Sequence, residues 1–198
     1  MFTTQFPFKT SPYLSHLTGS HTLISDFVTQ MVNQMWNWRL TGSQIPTPNP
    51  VFRNFCKNVI THSDASPAIV LLALKYLQKF GKLTINNNIS EFSEAKQFVV
   101  ALILAHKMLE DCTYTNETWS QITGISREEL NALERSFLTT LQYDVHVSQE
   151  EFSQWLLYIE QYMRHREPIS RSTKSPQKSP ASITATLSMW TRASQPTC

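Results

Sequence analysis

Eight consecutive apolar residues, Phe98 to Ala105, constrain the fold more than any other stretch of this chain. They follow the polar Glu94, Lys96 and Gln97, and as a helix they would leave no face for water. The run is far short of the roughly 20 apolar residues that cross a bilayer. A helix that is apolar all round yet too short to span a membrane belongs at the centre of a bundle, with neighbours on every side. A buried strand is the competing reading. The length of the segment, from about Glu91 to Glu110, favours the helix.

The rest of the sequence supplies those neighbours. From Ser20, apolar residues including Leu23, Phe27, Met31 and Met35 recur at helical spacing until Gly42 and the Pro46, Pro48, Pro50 loop. A second helix is predicted from Asn49 to His62, with Pro50 in its first turn and Phe52, Phe55, Cys56, Val59 and Ile60 facing inward. Ser66 reads as the N-cap of a third, with Pro67 at its first position and Gly81 at its end. Beyond the central helix, a short one from Asn116 to Thr123 stops at Gly124. Ser126 with Glu129, and Ser148 with Glu151, form capping boxes for two more. Only four glycines occur among 198 residues, against 11% aromatics, which disfavours both a turn-rich β chain and a glycine-built phosphate loop. The fold class is therefore all-α.

Composition marks the boundaries. Residues 1–19 mix aromatics with Pro7, Pro12 and Gly19 without a period and read as an irregular arm. Residues 20–47 form a helix and linker, 48–145 the main helical unit, and 146–165 a flanking C-terminal helix. Residues 166–198 are dominated by Ser, Thr, Pro, Lys and Arg, too poor in apolar surface to offset the entropy of ordering, and are predicted to be a disordered tail. From Arg164 onward six basic residues face only Glu167, leaving 11 basic and 14 acidic residues in the remainder. A mildly acidic body has no basic face to follow phosphates, so no nucleic-acid partner is expected. Cys56, Cys112 and Cys198 contain no C-x-x-C pair and imply neither a disulfide framework nor a zinc site. The sequence has no membrane span, and Met1 to Lys9 lacks the basic-then-apolar order of a secretory signal. The expectation is an intracellular protein of nucleus and/or cytoplasm with no membrane partner.

Catalysis needs a nucleophile with a base, paired carboxylates, a metal-ligand cluster or a phosphate cradle, and none occurs at a recognisable spacing. No enzymatic activity, cofactor, metal or small-molecule substrate is expected. The six histidines are scattered singly, which suits structural or solvated roles. Glu128, Glu129, Glu150 and Glu151 lie in first helical turns, where negative charge favours the helix dipole. Two charges sit on helix faces with apolar company: Lys107 with Leu104 and beside Met108, and Glu134 with Leu138. Taken alone, each is an ordinary surface residue.

Taken in order, Ala105-His106-Lys107-Met108-Leu109-Glu110, Trp119, Leu133-Glu134-Arg135-Ser136-Phe137-Leu138 and Leu141-Gln142-Tyr143-Asp144-Val145 resemble the core of the cyclin box. In cyclins the third box helix ends in a similar A-x-K-x-x-E stretch. The fifth carries L-E-x-x-x-L-x-x-L-x-[FYW]-D. The resemblance covers about Pro48 to Trp155. Ser66-Pro67 and the single-box length are similar to fungal Pcl-type cyclins, which partner the fungal phosphate-pathway cyclin-dependent kinase.

The resemblance implies a five-helix cyclin box with flanking N- and C-terminal helices, acting as a regulatory subunit that activates a cyclin-dependent kinase and helps direct its substrate choice. It implies that Lys107 and Glu134 hydrogen-bond backbone groups around the kinase αC helix, with Leu104, Met108, Leu138 and Tyr143 supplying apolar contacts. A cyclin-fold adaptor in transcription, without kinase activation, is the alternative. Mitotic cyclins carry M-R-x-x-L-x-D-W in their first box helix. Here Phe52 to Val59 keeps Arg53 but not the Asp-Trp pair, so the substrate-docking groove does not carry over. The sequence after Met163 is read as too short for a second repeat. In the tail, Ser175-Pro176-Gln177-Lys178 and Ser179-Pro180 suit proline-directed kinases, making Ser175 and Ser179 candidate phosphorylation sites.

Overall fold

The cap signals become helix ends in the computed structural model, which describes residues 21–41, 49–84 and 93–166. Seven helices occupy those residues: α1 His21–Thr41, α2 Pro50–His62, α3 Pro67–Leu83, α4 Glu94–Leu109, α5 Asn116–Thr123, α6 Arg127–Thr140 and α7 Gln149–Arg166. Helices α2 to α6 are the five predicted for the main unit, with α1 and α7 flanking them. No strand occurs among the described residues. None of their helices is long and apolar enough to cross a membrane. The predicted arm, the 42–48 linker and the tail with Ser175 and Ser179 lie outside the described residues.

Each predicted cap satisfies one of the amides that a helix N-terminus leaves without an intrahelical partner. The Ser66 side chain accepts from the Ile69 amide, Ser126 from Glu129 and Ser148 from Glu151. Asn49, expected as the first residue of α2, instead caps it by accepting from the Val51 amide, and Ser93 and Thr115 cap α4 and α5 in the same way. The two capping boxes are completed differently from the sequence expectation. Glu129 and Glu151 send their carboxylates to Lys96 on α4 and Lys75 on α3, so a local signal becomes a tie between helices. A second difference concerns Gly81, which does not end α3. The helix runs to Leu83 and is capped by Thr84, whose hydroxyl donates to the Phe80 carbonyl at 2.9 Å. A lone glycine costs a helix only about 1 kcal/mol relative to alanine. That is too little to end a helix anchored by buried Tyr76, Leu77 and Phe80.

The apolar run behaves as its composition requires. Every residue from Phe98 to Ala105 is buried, and α4 packs against α1, α2, α3 and α6. Phe98 meets the Phe52 ring of α2 edge-on at 6.4 Å between centroids, and Phe80 of α3 stacks on Phe137 of α6 at 4.4 Å. Such contacts add to the transfer free energy of the rings. Helix α7 is fastened to α3 by the buried Trp155, whose indole N–H donates to the Leu71 carbonyl at 2.9 Å. Lys75 lies over the same indole and pairs with Glu151 at 3.0 Å. Arg53 of α2 is held by Asp26 of α1 through both carboxylate oxygens.

Candidate functional site

Helix α4 is apolar until its last turn, so its first solvent-facing side chains after the core are Lys107 and Met108. Helix α6 lies alongside and presents Glu134. The Lys107 ammonium and Glu134 Oε1 meet at 2.6 Å across 27 residues of sequence. Glu134 is the more enclosed member, with its side chain 13% exposed against 36% for Lys107. Its second oxygen accepts from Asn116 Nδ2 at 2.9 Å, and the same amide donates to Asn131 Oδ1 at 2.7 Å. Both carboxylate oxygens are thus engaged by protein donors, and the orientation of the group is fixed.

Asn116 reaches this position because α5 is pinned from behind. Its Trp119 is fully buried, and the His106 ring packs edge-on against it at 5.7 Å. Tyr114 stacks on His106 at 5.2 Å and lies edge-on to Trp119 at 6.0 Å. Three rings therefore hold the end of α4, the following loop and the start of α5 as one block. Burial pushes the His106 imidazole below its ordinary pKa, with Glu110 pulling the other way, which favours the neutral form of the ring in this stack.

The sequence-derived site residues fall into distinct layers. Lys107 and Glu134 are brought into direct contact. Leu104 is buried, one turn before Lys107 and Met108, and supports them from within the core. Leu138 is half-buried one turn beyond Glu134 on the same face of α6. Met108 and Tyr143 are surface groups, 49% and 64% exposed. Tyr143 follows the end of α6 in a left-handed conformation with φ 58°, its amide donating to the Leu138 carbonyl at 2.8 Å. Asn116 and Asn131 were not legible as site residues. The available signal was Asn131 standing three positions before Glu134, on the same helical face.

The arrangement has a definite chemical capacity. An ammonium carries three donors. With one taken by Glu134, Lys107 retains donors for the carbonyl oxygens of a partner, and the enclosed carboxylate sets the direction in which they point. The exposed Met108 follows Lys107 directly in sequence. Among the described residues no group of three His, Cys, Asp or Glu side chains could hold a metal ion.

Comparisons with known proteins point to one family. Cyclin-U4-1 of Arabidopsis thaliana is 25% identical over 123 residues, covering 62% of this chain and 61% of the relative. PHO85 cyclin-5 of Saccharomyces cerevisiae is 29% identical over 148 residues, 72% of this chain and 62% of the relative. Cyclin-U2-1 of Arabidopsis thaliana is 23% identical over 113 residues, 57% of this chain and 51% of the relative. The chain spans about half to three-fifths of the length of these relatives. The family model described as Cyclin matches residues 7–145, well over half of the chain and all of the helices that carry the Lys107 and Glu134 pair, and this chain belongs to the cyclin family.

Proposed function

We propose that this chain is a regulatory subunit that binds and activates a cyclin-dependent protein kinase, helps direct its substrate choice, and carries out no chemical step of its own. The observation that supports this most strongly is the Lys107 and Glu134 pair, preset at 2.6 Å, with the exposed Met108 next to Lys107 in sequence. A kinase of this class is active when the glutamate of its αC helix pairs with the lysine that binds ATP phosphates. A cyclin stabilises that state only by binding it better than the inactive one. Moving the equilibrium from 1:99 to 99:1 takes a preference of about 10⁴-fold. Lys107 donors directed at backbone carbonyls near αC, with apolar contact beside them, are of the kind that depend on αC position.

The phosphate-pathway type of kinase is the partner we favour, because one relative at 29% identity is a cyclin of PHO85 by name. Ser175 and Ser179 would then be substrates of the bound kinase, and the complex would work in the nucleus and/or cytoplasm. The test is co-purification with a phosphate-pathway-type kinase followed by kinase assay, for the wild type and for Lys107→Ala/Glu134→Ala. The wild-type chain should give an active complex that the folded double mutant does not. Failure to bind any cyclin-dependent kinase would overturn the reading and favour an adaptor role.

A further inference from the structure

We propose that Lys79, assisted by Tyr76, is a positioning residue for kinase recognition, which clamps residues 144–146 and thereby holds Tyr143 in its exposed, left-handed conformation. The inference rests on the proposed kinase-binding role.

A helix commonly leaves its last turn through one left-handed residue, usually glycine. After α6 there are two in succession, Gln142 at φ 55° and Tyr143 at φ 58°, and neither is glycine. The left-handed region crowds the Cβ of an L residue against the backbone, and a bulky residue persists there only when its surroundings over-determine it. The second of the two is an aromatic group left 64% exposed, so core packing of its own ring does not provide that determination.

The chain immediately after Tyr143 does. The Lys79 ammonium donates to the Asp144 carboxylate at 2.8 Å, to the Asp144 carbonyl at 3.1 Å and to the His146 carbonyl at 3.3 Å. Three acceptors match the three donors of an ammonium. Tyr76, one turn earlier on α3 and fully buried, donates its hydroxyl to the Val145 carbonyl at 2.9 Å. Residues 144, 145 and 146 are therefore each tied to one face of α3. The Lys79 side chain is only 17% exposed, so its stem lies along the protein, as a long cationic side chain does when its head is committed to a fixed site. Lys79 also holds the Asp144 carboxyl below its usual range. Tyr143 leaves the body between this anchor and Leu138, which fixes both ends of its backbone.

A double-mutant cycle separates positioning from general stability. Affinity for a phosphate-pathway-type kinase is measured by calorimetry for wild type, Tyr143→Ala, Lys79→Met and the double mutant, each checked by circular dichroism for native helix content. Lys79→Met is expected to weaken binding about tenfold, and the double mutant to bind no more weakly than Tyr143→Ala alone. A Lys79→Met chain with wild-type affinity, or losses that multiply in the double mutant, would overturn the inference while leaving the kinase-binding role intact. A wild-type chain that binds no kinase would remove that role and the inference with it. Should Lys79→Met lose native helix content, Asp144→Asn takes its place in the cycle. It removes the charged acceptor, leaves Lys79 and both carbonyl contacts in place, and carries the same expected non-additivity with Tyr143→Ala. Adding Gln142→Gly to either clamp variant, which relieves the left-handed strain, should restore part of the lost affinity. A purely structural role for the clamp would give no such rescue.

Discussion

Glu134→Ala should separate partner binding from folding. In the free chain the substitution removes two interactions of unequal weight. The ion pair with Lys107 involves a side chain that is 36% exposed and can rehydrate, so its loss costs at most about 1 kcal/mol after solvent screening. The bond from Asn116 is to a charged acceptor in a half-buried setting, and such bonds contribute about 1.5–3 kcal/mol. Asn116 keeps Asn131 as a partner, which places the expected total near 2 kcal/mol. A domain stable by about 5–15 kcal/mol stays folded after that loss. In the complex the same change frees Lys107 from its orienting carboxylate. Losing an oriented, charge-assisted contact at an interface should cost about 1–3 kcal/mol, or roughly 5- to 150-fold in Kd. Glu134→Gln is the control, because its amide oxygen can still accept from Asn116 while the charge facing Lys107 is gone. Urea denaturation measures the first quantity and titration against the kinase the second. A folded Glu134→Ala chain that binds the kinase as tightly as wild type would refute the assignment. A Glu134→Gln chain that no longer folds would make the residue structural.

Three further outcomes test the fold around the site. Gly81→Ala should stabilise the protein by about 0.5–1 kcal/mol in urea melts, since Gly81 has helical backbone and an added Cβ meets nothing within 4 Å. A loss of stability would count against the continued helix. Gly124→Ala meets equally open space but sits at φ 72°, so it should destabilise by about 1–2 kcal/mol through backbone strain alone. An unchanged urea midpoint would contradict the left-handed cap. For His106, the folded-state pKa lies below the ordinary 6.5, so its contribution is complete above pH 6.5. It is lost as pH falls from there toward the lowered value, where the unfolded chain takes up the proton first, with a slope of at most about 1.4 kcal/mol per pH unit. His106→Gln should flatten the dependence of unfolding free energy on pH between 6.5 and 5. Identical slopes for variant and wild type would show that His106 is not the titrating group.

What the sequence disclosed follows the range of the interactions involved. Ser66, Ser126 and Ser148 act on amides three residues away, so their patterns sufficed to place helix starts. Gly124 likewise needs only its own φ. The destinations of Glu129 and Glu151 were hidden, because the same two carboxylates that complete a box locally reach Lys96 and Lys75 once the helices pack. Lys107 and Glu134, 27 residues apart, became a pair only through a family pattern, since spacing places neither beside the other. Asn116 had no pattern at all. Its role depends on how α5 settles through its Trp119 onto His106, a matter of ring packing between segments.

The apolar run nevertheless explains why the site lies where it does. A helix buried on all sides can present a polar group to solvent only where its enclosure ends, and for α4 that point is Lys107, directly after the buried His106. The register of the run therefore sets the direction of the ammonium. One residue inserted within Phe98 to Ala105 would rotate everything beyond it by about 100° around the helix axis. Lys107 would turn away from Glu134, and a neighbouring side chain would take its place above Leu104. The length and phase of a wholly apolar segment thus determine whether the charged pair forms at all.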